Sequence, residues 1–264
     1  MHKNFLPCTL FAFCLGAVSA ALASDTEREG HAVARAYDIS DTGFRDSRVK
    51  IRMVLRNAAG QEVTRDLRLS TLEKDSDNTG DKTLVVFLSP ADVRDTALLS
   101  HPHIQDADDQ WLYLPAIKRV KRISTSNKSG PFVGSEFAFE DFTSQDLEKY
   151  RYKYLRRDAI DGRKVDVVER FPRDTYSGYN RQVVYFDLDN KQPLRVEFFD
   201  RKNEPLKTLD LSDYRNWNGI WRAHVQKMVN HQTGKSTDLL MSDYEFGVGF
   251  QASDFDSSAL KRLK

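Results

Sequence analysis

The sequence predicts a mainly β protein of the α+β class: a strongly curved antiparallel sheet or partial barrel, with a few helices over its concave apolar face. Three observations predict it. Apolar and polar residues alternate with period two in several runs. Turn-forming clusters interrupt these runs at nearly regular spacing from Arg163 to Tyr244, the mark of an antiparallel meander. The runs add up to roughly ten or eleven strands, more than a small sheet carries without curling.

The chain has 264 residues. His2 and Lys3 precede a mostly apolar run from Phe5 to Leu22, and Ala21-Leu22-Ala23 offers small residues where signal peptidase needs them. Residues 1–23 therefore read as a secretory signal peptide, with cleavage after Ala20 as the alternative, and residues 24–264 as one exported domain. Phe13 stands before Cys14 where a lipobox needs a small residue, and Cys8 lies too early, so acylation is not expected. Cleavage would remove both cysteines of the chain, which leaves no thiol nucleophile, disulfide or Cys-zinc site. A neutral, thiol-free exported domain fits a bacterial periplasm.

Glu27 to Tyr37 reads as an N-terminal helix. Strands follow near 47–57, where Val49, Ile51, Met53 and Leu55 alternate with polar residues, and near 61–73. Ser89-Pro90-Ala91-Asp92 resembles a capped helix start, opening a short helix to about Thr96. Glu140 to Tyr150 is a third helix candidate. The meander includes Leu194, Val196 and Phe198 in one strand and Trp221, Ala223 and Val225 in another, with turns such as Asp161-Gly162, Asn203-Glu204-Pro205 and Asn218-Gly219 between runs.

Composition narrows the function. Lys+Arg 40 against Asp+Glu 39 leaves a net charge of +1, which argues against a generic nucleic-acid binder, and one apolar stretch excludes a multi-span membrane protein. Signals for catalysis are weak. Gly134-Ser135-Glu136 lacks the following Gly of a nucleophile elbow. His101-Pro102-His103 has no third histidine nearby, and reads as turn histidines. Glu136, Glu140 and Asp141 read as a solvated helix start. No phosphate loop is present. Neither an enzyme nor a cofactor is expected.

The informative stretch runs from Gln110 to Phe142. It holds Trp111-Leu112-Tyr113-Leu114-Pro115-Ala116-Ile117-Lys118-Arg119-Val120-Lys121-Arg122-Ile123. A polar loop, 124–129, follows, and then Gly130-Pro131-Phe132-Val133-Gly134-Ser135-Glu136-Phe137-Ala138-Phe139-Glu140-Asp141-Phe142. The cations Lys118, Arg119, Lys121 and Arg122 suit either a charge-protected edge strand or a basic contact for an anionic head group or acidic partner. The loop, small and polar, is expected to be mobile, with Phe132 and Val133 as an apolar tip.

These two blocks, with Asn216 to Asn230 and Ser242 to Phe255, resemble the LolA-like outer-membrane lipoprotein-sorting proteins. More narrowly, they resemble the branch often encoded beside RND/MMPL-type exporters. The resemblance implies an incomplete, roughly eleven-stranded antiparallel barrel closed on its concave side by helices. It also implies a periplasmic carrier that shields a lipid, lipoprotein acyl chains or another hydrophobic molecule between the inner and outer membranes, with an exporter as partner. A carrier must offset about 0.8 kcal/mol for each CH₂ it takes from an apolar phase, so it needs an extended apolar cavity. Trp111, Tyr113, Phe132, Phe137, Phe139 and Phe142 are the expected cavity residues. Lys118, Arg119, Lys121 and Arg122 are the expected partner or head-group contacts. The alternative on the same fold is a lipid-sensing regulatory module acting on an envelope-stress signalling partner.

Overall fold

The computed structural model describes residues 15–262; Cys8, Cys14 and the first fourteen residues of the expected signal segment lie outside the described residues. One helix, α1 (Leu15–Ser40), precedes thirteen strands. These are β1 (Asp46–Arg56), β2 (Glu62–Leu72), β3 (Lys82–Ser89), β4 (Ala97–His101), β5 (Asp109–Leu114), β6 (Arg119–Ile123), β7 (Tyr150–Ile160), β8 (Arg163–Pro172), β9 (Tyr179–Asp187), β10 (Pro193–Asp200), β11 (Pro205–Trp217), β12 (Ile220–Asn230) and β13 (Ser236–Phe246). All belong to one sheet in the order β6-β5-β4-β3-β2-β1-β13-β12-β11-β10-β9-β8-β7. Each pairing between neighbouring strands is antiparallel, and β6 and β7 remain open edges, so the curved sheet does not close into a barrel.

The count exceeds the expected eleven for a physical reason. Strands β3 and β4 are buried on both faces, with consecutive buried runs at 84–87 and 97–100. Two-sided burial removes the alternation by which half-buried strands are recognised. Elsewhere the alternation holds: in β10, Leu194, Val196 and Phe198 are buried between less buried neighbours.

The concave face carries the main core, including Ile51, Met53, Leu67, Val85, Phe87, Leu98, Val184, Val196 and Leu239. Ile51 lies opposite Leu67 on β2 and Met241 on β13, which makes an apolar floor across three adjacent strands. On the opposite face Leu84, Val86, Leu99 and Tyr113 form a second core, capped by Phe255 and Leu260 of the C-terminal 3₁₀ turns. Val165, Val167, Val183 and Leu194 form a third.

Helix α1 contains the expected 27–37 segment and extends it at both ends. It packs on β7 and β8 through Ala34, Val33 and Tyr37. At the crossing, a Cβ on Gly30 would stand 2.6 Å from the backbone nitrogen of Tyr154, so only glycine permits this approach.

The other two expected helices do not form. After Pro90 the chain makes a single turn, with Arg94 N–H donating to Pro90 O at 3.0 Å, and left-handed Asp95 (φ 63°) ends it. Between Glu140 and Tyr150 there are two 3₁₀ turns, Phe139–Phe142 and Leu147–Lys149, broken by extended Thr143 (φ −107°, ψ 161°). Asp141 takes the Ala138 N–H at 2.7 Å and turns its carboxylate inward, which ties the backbone into a local turn in place of a helical ladder. The concave face is thus covered by one helix and an irregular strap, residues 124–149, where several helices were expected.

Candidate functional site

The strap is built on aromatic rings. Phe132 is fully buried, with ring centroids 5.5 Å from Phe87, 5.7 Å from Phe139 and 4.4 Å from Phe142. Phe137 lies 5.9 Å from Phe142. The apolar tip expected of the loop is therefore part of the core: a ring of this size gains more by leaving water than a loop gains by freedom. Hydrogen bonds pin the strap to both halves of the sheet. Gln110 donates to Phe139 O at 2.9 Å, Thr83 to Phe142 O at 3.0 Å, and Glu136 N–H to Thr237 Oγ1 at 3.0 Å. The 124–129 loop is itself tied down, Lys128 Nζ donating to Asp174 and Glu140 N–H to Lys128 O.

A buried charge pair completes the fastening. Lys207, 4% exposed, donates to Asp141 Oδ2 at 2.7 Å and to Glu136 O at 2.9 Å. Tyr179 donates to the other oxygen of Asp141 at 2.8 Å. Glu140 accepts from Ser177 and the Gly178 N–H, both at 2.8 Å; burial, then the charge of Asp141, raise its pKa. The acidic cluster expected at a solvated helix start is an internal anchor.

Between the strap, the C-terminal end of α1 and the sheet floor lies a groove of about 350 Å³. Ile51, Leu69, Leu239 and Met241 form its floor, and Tyr37, Phe137 and Phe142 its walls. A second lobe of about 240 Å³ adjoins it, sharing Tyr37, Leu69 and Met241 and reaching Phe44, Trp221 and Tyr244. Two larger depressions, about 680 and 630 Å³, lie over Asp108, Lys149 and Asp174 and over Glu136, Lys207 and Lys235, and neither reaches this floor.

The rim of the groove is acidic. Asp38, Asp41, Glu73, Asp81, Asp141 and Asp146 line it beside a single cation, Lys74. Asp41 pairs with Arg222, Asp141 with Lys207, and Asp146 with Lys149 at 3.6 Å. Among the described residues Asp38, Glu73 and Asp81 form no ion pair. Glu73 accepts the N–H groups of Gly43 at 2.5 Å and Arg45 at 2.7 Å, and Asp81 accepts that of Lys74 at 2.9 Å. Burial pushes the Asp81 carboxyl up to about 7, and burial also raises Asp38 and Asp41.

Of the expected cavity residues, Phe137 and Phe142 line this groove, while Phe132 and Phe139 pack within the strap. Trp111 and Tyr113 belong to the second core on the opposite face, because odd positions of β5 point away from the strap; Leu112 points toward it. Lys118, Arg119, Lys121 and Arg122 lie on the open edge around β6, with Arg122 paired to Asp109. The strap aromatics and the edge cations are thus separate features. His101 Nε2 bonds Phe255 O at 2.6 Å, and His103 pairs with Asp109 at 3.2 Å. Sequence reasoning missed the floor and rim. The alternation of β1 does place Ile51 inward, but nothing local says which inward residues border unfilled space.

No protein of curated function matches the chain. A family model described as "Uncharacterized protein" matches residues 79–262. Among solved structures, a domain from Vibrio parahaemolyticus that bears the name of an outer-membrane lipoprotein-sorting protein domain is 48% identical. It superposes with a TM-score of 0.86, the match covering 89% of this chain and 100% of that one. A DUF1329 family protein from Desulfovibrio piger is 29% identical, with a TM-score of 0.85 and coverage of 89% and 99%. A LolA superfamily protein from Nitrosomonas europaea shares the fold at 19% identity, with a TM-score of 0.70 and coverage of 86% and 97%. Identity and coverage at the level of the Vibrio domain go beyond likeness of fold: the chain is a relative of that domain and belongs to the family whose model matches residues 79–262.

Proposed function

We propose that this protein is a periplasmic carrier that shields a lipid, lipoprotein acyl chains or another hydrophobic molecule in transit between the inner and outer membranes. The carrying observation is the groove: the strap that covers the concave face leaves about 350 Å³ of unfilled space above a buried apolar floor drawn from β1, β2 and β13. Its main lobe falls in the size range of small-molecule sites, about 300–1,000 Å³, and the second lobe extends it. Phe137 and Phe142 form the wall against the cargo, and Phe132 and Phe139 hold that wall in place. The name borne by the Vibrio domain and the apolar run before residue 24 support the periplasmic setting; among the described residues no helix is long and apolar enough to cross a membrane.

Native mass spectrometry and lipid extraction of protein purified from periplasm test this reading. A retained amphiphile that is lost in a Leu239→Asp variant supports it. Protein that retains nothing and takes up no acyl probe would sink it.

In the finer reading, an RND/MMPL-type exporter supplies or receives the cargo, and Lys118, Arg119, Lys121 and Arg122 dock it. The resemblance of residues 111–142 to the exporter-associated branch and the exposure of this edge support that reading. Replacing the four cations by Gln should slow transfer between donor and acceptor membranes at low salt, and the difference should shrink as salt screens charge over roughly 8–10 Å. Normal transfer at low salt by the folded variant would remove the docking role.

A further inference from the structure

The sheet forks beside the second lobe. The ladder between β12 and β13 stops at the pair Val225–Leu240, although both strands run on. Beyond it, residues 220–223 pair with β11 and residues 241–246 with β1. At the fork the His224 ring donates from Nδ1 to Met241 O at 3.2 Å. Left-handed Asp243 (φ 51°) and a register shift between Arg48 and Lys50 then reverse the alternation of β13, which brings Tyr244 to the same side as Met241. Both banks of the fork, Trp221 to Ala223 on one side and Met241 with Tyr244 on the other, line the second lobe. Three rings lead outward from it. Tyr244 stacks on Phe246, with centroids 5.9 Å apart and planes at 10°, and Phe246 on Trp217, at 4.3 Å and 13°. Arg222, paired with Asp41, braces the stack at 5.8 Å from the Phe246 centroid and 4.8 Å from that of Phe44. Trp217 ends β11 at the tip of the β11–β12 hairpin and is 44% exposed. Nearby charges are balanced in pairs, Arg215 with Asp213 at 2.7 Å and Arg48 with Glu245 at 3.7 Å.

We propose that the Trp217–Phe246 stack is a membrane-docking surface, which seats the forked end of the sheet on a zwitterionic phospholipid bilayer so that an acyl chain passes there between the bilayer and the second lobe. This rests on the carrier reading and names the surface by which such a carrier meets its membrane. An indole suits the membrane interface, where its apolar ring leaves water while its N–H keeps polar partners. Balanced charge gives an anionic surface no advantage over a zwitterionic one. Stacking fixes the rings before contact, so docking loses little side-chain freedom. A chain that enters at the fork passes from one apolar phase to another with few of its methylenes in water.

The test is flotation of protein purified from periplasm with phosphatidylcholine vesicles whose acyl chains carry bromine to quench tryptophan. The wild type should float and its emission should be quenched, both unchanged from about 0.05 to 0.5 M salt. Trp217→Ser should lower the vesicle partition coefficient about tenfold. Trp217→Phe should float normally and lose most of the quenching. Ile117→Ser, at an exposed apolar residue beside β6, should change neither. Uptake of a fluorescent fatty acid from solution, without vesicles, should be normal in every variant, which also shows that each is folded. If Trp217→Ser floats like wild type, or if flotation needs anionic lipid or is lost with salt, the docking surface is overturned while the carrier reading stands. Wild type that does not float but self-associates in sedimentation, with Trp217→Ser monomeric, would assign the stack to a second copy of the chain and overturn the proposal. A wild type that takes up no fatty acid from solution would overturn the carrier reading, and flotation then decides the docking surface alone.

Discussion

Asp81→Asn isolates the electrostatic cost of the acidic groove. In the folded protein Asp81 accepts the Lys74 N–H at 2.9 Å, and asparagine can accept the same bond, so the change removes charge and little else. Burial pushes the Asp81 carboxyl from 3.8 up to about 7, with the charges of Asp41, Asp146 and Glu73 adding to the rise. That displacement corresponds to about 4 kcal/mol against the charged form, a ceiling because water at the groove mouth screens part of it. The folded chain therefore holds the proton more tightly than the unfolded chain. The stabilisation is complete below about pH 4 and is lost as pH rises through about 7. Relative to wild type, Asp81→Asn should be nearly neutral at pH 4 and stabilising at pH 8 by on the order of 2 kcal/mol. Urea unfolding across pH 4–8, with both proteins at equal ionic strength, measures the difference curve. A flat difference curve, or a variant less stable at pH 8, would refute the account of Asp81 as a desolvated carboxylate facing surplus negative charge.

Three further outcomes follow from the strap and its anchors. Phe132→Ala should cost about 3–5 kcal/mol in chemical denaturation, since the ring is fully buried against Phe87 and Phe142; a loss below about 1 kcal/mol would mean the strap is a loose loop. Lys207→Met should cost about 3–5 kcal/mol by leaving Asp141 buried without its cation, and adding Asp141→Asn should restore part of that loss; no restoration would contradict the pairing. Gly30→Ala should destabilise by about 1–3 kcal/mol and open α1 to limited proteolysis, because its Cβ would meet the backbone of β7; wild-type resistance would show that the helix sits elsewhere.

The sequence by itself determined the class of fold and the antiparallel meander. Alternation and turn chemistry are local, and half-buried strands such as β1 and β10 write their inward faces directly into residue order. It also singled out the aromatic block from Phe132 to Phe142, because so many rings in an irregular stretch must be buried somewhere. It did not separate strands buried on both faces, such as β3 and β4, whose unbroken apolar runs have no phase. Nor did it separate Trp111 and Tyr113 from Phe137 and Phe142: all four are aromatics near one another in the chain, and only the parity of β5 within the sheet sends the first two to the opposite face. Glu140 and Asp141 looked like solvated helix-start residues because their partners, Ser177, Tyr179 and Lys207, lie about 40 to 70 residues away. The groove belongs wholly to the tertiary structure. Its floor takes residues from β1, β2 and β13, and its acidic rim joins Asp38 of α1 to Glu73 and Asp81 at the two ends of the β2–β3 connection. A cavity is the space that packing leaves unfilled, and no local pattern of residues encodes where packing stops.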